Sequence, residues 1–288
     1  MSLCPRTSRA IIAIVKGGLG NQLFIYAAAR ALALRTGREL YLDDKRGYTA
    51  DGFGRSYRLE RFPIQAKVML EEWRVAPTLK HPWHKLIRAL NKLLPRNQRG
   101  YLAERHHLDA GQLTALQPVR VRVTLLGYWQ NEAYFSTWAD TIRAELTPPV
   151  PIDARNRELG LRLAQGDAVF VHVRRVHYPE LLTADYYQKA VSQARARLSK
   201  PRFVLFGDDL AWLTARVDFG GADVELIEHN DSDELVDLWL MTCCRHAIIA
   251  NSSFSWWGAW LGVKSGGQIY APASAAYGPR MPPGWASF

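Results

Sequence analysis

The stretch that most constrains this chain runs from Val169 to Tyr178 and reads VFVHVRRVHY. Gly166 and Asp167 end a polar approach, after which Val169, Phe170, Val171 and Val173 form a short apolar run. A run this short, rich in β-branched residues and bounded by turn formers, predicts a buried strand rather than a helix. His172, Arg174, Arg175 and His177, all cationic or able to become so, crowd its end. Guanidinium groups without partners cannot lie inside a sheet, so they are expected at the strand's carboxyl end. There they face the crevice where open α/β sheets bind ligands. An arginine pair in that position suits a phosphate or diphosphate gripped bidentately. A structural arginine–carboxylate pair explains the same residues equally well on this stretch alone.

The rest of the chain repeats strand then helix. Ile11–Val15 reads as a buried strand entering Lys16-Gly17-Gly18-Leu19-Gly20-Asn21-Gln22, followed by helix formers from Leu23 to Thr36 and a stop at Gly37. Glu39–Leu42 returns as a strand ending in Asp43 and Asp44, which completes a βαβ unit with N–H groups offered at a helix start. A dinucleotide fingerprint would need a third glycine, which is missing, and Asp43 lies a little far on; a tight packing turn also fits. Arg122–Tyr128 is the next strand, and Trp129 opens a helix towards Glu145. Thr147-Pro148-Pro149-Val150-Pro151 reads as a linker.

Beyond it, strands are expected at Arg202–Phe206, Val224–Ile227, Ala247–Ala250 and Gln268–Tyr270. Helices follow Asp209, running through Val217, and Asp231, running to about Cys244. The pattern predicts an α/β chain of two facing Rossmann-like domains, 1–150 and 151–288, with the site in the cleft between them.

Charge narrows the partners. The chain has 37 basic and 27 acidic residues, a balance of +10 that favours anionic ligands. Most of the excess lies between Leu79 and Arg122. Within that segment Trp83, Leu86, Ile87, Leu90, Leu93 and Leu94 fall at helical spacing opposite Lys85, Arg88 and Lys92. Such a helix either packs its apolar face on the protein or lies on an anionic membrane. Cys4, Cys243 and Cys244 give neither a disulfide framework nor a zinc spacing, so a cytoplasmic setting is expected. No apolar run reaches a membrane span or a signal-peptide core, and no nucleic-acid module appears. Asp231-Ser232-Asp233 matches a metal-holding D-x-D, but Asp231 with Glu234 also reads as a capping box. Asn251, Ser252 and Ser253 can cap a helix and offer hydroxyl and N–H groups to a phosphate. Trp256, Trp257 and Trp260 suit either the core or stacking on a base or sugar.

Four stretches together resemble the α-1,2-fucosyltransferases of glycosyltransferase family 11, bacterial type. They are Gly17-Gly18-Leu19-Gly20-Asn21-Gln22-Leu23-Phe24, His172-Val173-Arg174-Arg175, Phe206-Gly207-Asp208-Asp209 and Asn251-Ser252-Ser253-Phe254-Ser255-Trp256-Trp257-Gly258. Tyr128-Trp129-Gln130 and Tyr134-Phe135 are similar to the family as well. The resemblance implies a GT-B fold and inverting, metal-independent transfer of L-fucose from GDP-β-L-fucose to the 2-hydroxyl of a terminal galactoside in a glycan or glycolipid, with no cofactor. It places Arg174 on the β-phosphate, with Arg175 structural nearby. His172 and His246 are expected near the nucleotide, Asp208 on an arginine or ribose, and Asn21 and Gln22 on the donor, Asn21 facing the diphosphate and fucose from across the cleft. Asn251, Ser252, Ser253, Phe254 and Ser255 are expected to bind donor. The family continues its arginine pair with Gly-Asp-Tyr, whereas this chain has Val176-His177-Tyr178. His177 and Glu180 are therefore the candidates for the general base. Transfer of another GDP-linked sugar, a non-catalytic carbohydrate or phosphate binder, and an NAD-dependent oxidoreductase are the alternatives. A location peripheral to the inner membrane is the matching expectation for the basic segment.

Overall fold

The computed structural model describes residues 9–69, 71, 82–104, 110–176, 181–230, 233–263, 266–273 and 279–287. The chain divides into two compact units, Met1–Leu146 and Thr147–Phe288.

The first unit is a five-stranded parallel sheet in the order β3-β2-β1-β5-β4. Its strands are β1 (Ala10–Ile14), β2 (Glu39–Asp43), β3 (Lys67–Val68), β4 (Tyr101–Ala103) and β5 (Arg122–Leu126). All five residues of β1 are buried, as expected of a central parallel strand covered on both faces. Helix α1 (Leu19–Thr36) is apolar almost all round and correspondingly buried. It ends at Gly37, whose φ of 61° lets its N–H reach the Leu34 carbonyl while Arg38 N–H reaches Ala33. Helix α2 spans Pro82–Leu93 and α3 spans Ala110–Thr114. The single helix expected from Trp129 to Glu145 is instead two 3-10 turns, Glu132–Tyr134 and Ser136–Trp138, followed by α4 (Ala139–Glu145). Asn131 caps the first turn through the Ala133 N–H, and that local bond competes with a continuous helix. Glu145 is buried between the Tyr26 hydroxyl, which donates to it, and Arg30 at 2.7 Å, so α4 is tied to α1.

The second unit is a six-stranded parallel sheet, β11-β10-β9-β6-β7-β8. Its elements in chain order are α5 (Ala154–Leu163), β6 (Ala168–Val173), α6 (Ala184–Arg197), β7 (Arg202–Gly207), α7 (Leu210–Thr214), β8 (Asp223–Leu226), α8 (Glu234–Cys243), β9 (His246–Ile248), α9 (Ser253–Gly262), β10 (Ile269–Ala271) and β11 (Ala286–Ser287). Strand β6 sends Val169, Val171 and Val173 into a core shared with α6, while Phe170 enters a core with α5, α8 and α9. Both faces are therefore dry, which is why the stretch reads as an unbroken apolar run. Helix α8 begins two residues later than expected, because Asp233 rather than Asp231 is its cap and accepts the Leu235 N–H at 3.1 Å. No helix among the described residues is long and apolar enough to cross a membrane.

Candidate active site

Each sheet has one point where the strand order reverses, between β1 and β5 in the first unit and between β6 and β9 in the second. Loops leaving neighbouring strands in opposite directions open a crevice at the carboxyl ends there.

In the second unit that crevice is lined by the end of β6 and the start of α9. The last residue of β7, Gly207, has φ of 137°, and a Cβ there would lie 1.9 Å from the Val173 carbonyl. Only glycine allows the ends of β6 and β7 to approach this closely. The approach brings Asp208 to the arginine pair. Its carboxylate accepts the N–H groups of Arg175 at 2.8 Å and Val176 at 3.1 Å, and pairs with Arg174 at 2.9 Å. Arg175 is fully committed to structure: it pairs with Asp209 at 3.4 Å and lies 3.8 Å over the Trp212 ring. Arg174 keeps the more exposed guanidinium of the two, at 38% against 22% for Arg175, with donors to spare beyond Asp208.

His172 points to the α9 side of the sheet, its ring centroid 5.8 Å from that of Phe254. It is buried, and its Nδ1 has no hydrogen-bond partner among the described residues. Burial, and secondarily the Arg174 charge, push its pKa down to about 3. An unfolded chain takes up a proton near pH 6.5 that the folded site refuses until about pH 3. This group's share of stability is therefore intact above about pH 6.5 and drains as pH falls, by up to about 1.4 kcal/mol per unit. Urea titrations of His172→Gln are expected to give a flatter stability profile than wild type between those limits. Parallel profiles would mean that His172 is not held neutral.

At the start of α9, Asn251 is buried and the Ser252 hydroxyl caps the helix through the Phe254 N–H at 3.3 Å. Ser253 is half-buried at the first turn. Ser255, expected to bind donor, is instead spent on its own turn: its hydroxyl accepts the Ala250 N–H and donates to the Ser252 carbonyl. Trp256, Trp257 and Trp260 are core; Trp256 stacks on Trp260, and its indole N–H donates to the Arg280 carbonyl. His246 is a second correction. It pairs across from Val169 at the amino end of β6, about 13 Å of strand from the crevice. There its Nδ1 accepts the Gln268 N–H, and Nε2 lies 3.5 Å from Asp167. His177, Glu180 and Asp231 lie outside the described residues.

The first unit's crevice carries Lys16, Asn21, Tyr128 and Gln130. Asn21 Oδ1 accepts the Gln130 side-chain N–H at 2.7 Å. Gln22, expected on the donor, is fully buried instead. Its amide donates to the Gly17 and Ser56 carbonyls and accepts the Arg58 N–H, which leaves no donor over. Asp43, the acid a dinucleotide reading needs, is buried under Arg46 and caps the following turn. Two residues escaped the sequence reading. Glu104 accepts the N–H groups of Tyr128 at 2.6 Å and Trp129 at 2.8 Å, and holds Trp129 at a φ of 57° that a bulky residue adopts only under constraint. Lys16 lies 4.3 Å over the Tyr128 ring, its pKa lowered by burial against the opposing charge of Glu104. The Trp129 indole N–H is buried and has no partner among the described residues.

A model of glycosyl transferase family 11 matches residues 10–277. The chain is 31% identical to the α-1,2-colitosyltransferase of Escherichia coli over 91% of both chains. It is 26% identical to the galactoside α-(1,2)-fucosyltransferase 1 of Bos taurus over 93% of this chain and 71% of that one. Among solved structures, the fucosyltransferase NodZ from Bradyrhizobium superposes with a TM-score of 0.56 at 20% identity, covering 89% of this chain and 92% of that one. NodZ soaked with GDP-fucose gives 0.54 at 17%, covering 88% and 92%. That likeness gives the fold, which is of the GT-B class. A family match over nearly the whole length, which takes in the glycine loop, the arginine pair and the start of α9, places this chain in glycosyl transferase family 11.

Proposed function

We propose that the chain transfers L-fucose from GDP-β-L-fucose to the 2-hydroxyl of a terminal galactoside, with inversion and without a metal. The observation that carries this reading is the Arg174 fork, exposed at the carboxyl end of β6 beside the Ser252-capped start of α9. Departure of GDP leaves diphosphate charge, and a guanidinium with helix N–H groups can meet it. Buried Asn251 and the Nδ1 of neutral His172, which meets no partner among the described residues, supply polar contacts to the donor from the same crevice. Arg175, by contrast, shapes the loop. The second unit thus takes the nucleotide sugar, and the first unit's crevice, with Lys16, Tyr128 and Gln130, takes the acceptor, Asn21 there being turned to the donor's diphosphate and fucose. The nucleotide-sugar donor and three cysteines without a disulfide spacing fit a cytoplasmic enzyme working on surface-glycan precursors.

Metal independence has a direct test. Transfer is expected to persist in excess EDTA, whereas loss that magnesium restores would revive Asp231 and Asp233 as ligands. Asp233 is already engaged as the α8 cap, which weighs against that outcome.

The similarity to a colitosyltransferase favours one second reading, transfer of a 3-deoxy relative of fucose. Rates with GDP-fucose and GDP-colitose on a panel of galactosides separate the two. A site that hydrogen-bonds the extra hydroxyl rejects the deoxy donor by roughly ten-thousandfold, whereas a purely apolar pocket discriminates by only about a hundredfold. A clear preference for GDP-colitose would overturn the fucose assignment.

The attacking hydroxyl must lose a proton as the glycosidic bond forms and the C1–phosphate bond breaks. We assign that role to His177, which replaces the family's aspartate, with Glu180 next. A histidine base titrates near pH 6.5 and a carboxylate near 4, so His177→Asp is expected to move the acid limb of kcat/KM downward. His177→Ala is expected to lose roughly a hundredfold or more. A common acid limb and similar rates in all three proteins would pass the role to Glu180.

A further inference from the structure

We propose that α2 docks the protein on an anionic lipid surface, with its leucines at the acyl boundary and its cations among the headgroups. Leu86, Leu90 and Leu93 follow one another at steps of four and three, which places them on one stripe of the helix. They are 49%, 55% and 82% exposed, so the stripe is not packed on the protein. The helix is nonetheless fixed in place from its other side. Asn91 accepts the N–H groups of Gly100 and Tyr101 at 2.9 and 3.1 Å and donates to the Tyr101 carbonyl at 2.7 Å, which ties α2 to the entry of edge strand β4.

In sequence, the segment that carries the leucine stripe has positive charge alone. From Trp73 to Ala103 the chain carries seven Lys/Arg and no acidic residue. Lys92 and Arg96 are exposed, and Arg99 donates to the Leu94 and Lys92 carbonyls at the helix end, as a cation there should.

The charge selects the occupant. A second copy of the chain would bring like charge against like charge. A nucleic acid would satisfy the cations but leave the leucines without an apolar partner. An anionic bilayer satisfies both, since each cation near such a surface strengthens binding about fivefold and the leucines add burial.

The test uses the full chain in flotation with vesicles of phosphatidylcholine alone and of phosphatidylcholine with a third phosphatidylglycerol. Wild type is expected to partition at least tenfold more strongly, roughly, into the anionic vesicles and to release at high salt. Leu86→Gln/Leu90→Gln/Leu93→Gln is expected to lose about tenfold or more. Lys92→Gln/Arg96→Gln should lose roughly fivefold per cation while keeping the stripe, which guards against misfolding of the leucine variant. Turnover with a soluble acceptor should be unchanged in both. Equal binding to neutral vesicles, no binding to either, or binding unaffected by both variants overturns the proposal. So does displacement by RNA of wild type and leucine variant alike.

Discussion

Arg174→Lys is expected to lower kcat/KM by roughly a hundredfold or more, and Arg174→Ala to leave almost no turnover, with melting temperatures near that of wild type. Lysine keeps the charge but presents a single ammonium in place of a planar fork, so two-point contact with the leaving diphosphate is lost. Its neighbour cannot compensate. Arg175 lies against the Trp212 ring, pairs with Asp209 and reaches the Leu182 carbonyl, and turning it outward would break all three contacts. The two arginines should therefore separate in experiment. Arg175→Lys is expected to lower stability first, and Arg174→Lys to lower rate with little effect on stability. Steady-state kinetics alongside thermal melts decide it, and near-normal kcat/KM in Arg174→Lys would mean that this fork does not grip the diphosphate.

That division between neighbours was partly legible in the sequence, and its limits are physical. Central parallel strands are buried on both faces, so Ile11–Val15, Val169–Val173 and Arg202–Phe206 announce themselves as apolar runs within a residue or two of their observed bounds. Gly37 could be read as a helix stop because its left-handed φ is a local requirement. Edge strands β3 and β4, of two and three residues, carry too little pattern to be seen. Long-range partners are equally invisible. Glu104 serves the backbone of residues twenty-four and twenty-five positions on, and nothing in its own neighbourhood hints at that. His246 failed for another reason. It sits five residues before Asn251, but β9 runs between them, and a strand carries its two ends to opposite edges of the sheet. Gln22 shares its stretch with Asn21, but its side chain turns into the core, where its amide closes the glycine loop onto Ser56 and Arg58.

Asp208→Asn is expected to lower kcat/KM by roughly ten- to a hundredfold, through the arginine turn that Asp208 holds. Its two oxygens divide three tasks: Oδ1 accepts the Arg175 N–H, and Oδ2 takes both the Val176 N–H and the Arg174 guanidinium. The carboxylate thereby fixes the turn after β6 and aims the fork at once. An asparagine must set its NH2 group either against the Arg175 N–H or against both the Val176 N–H and the guanidinium, donor against donor, and in either orientation the charge that holds the fork is gone. The Gly207 contact with Val173 keeps the two strand ends together in the variant, so the fold should survive while Arg174 loses its aim. If Asp208 acts through Arg174, the two losses overlap. Adding Asp208→Asn to Arg174→Lys should then cost far less than it does in wild type, because residues in one ion-pair network are not additive. Single and double variants measured at saturating donor give the cycle directly. Losses that multiply would mean that Asp208 works by another route, and the Arg175–Val176 backbone would be the place to look.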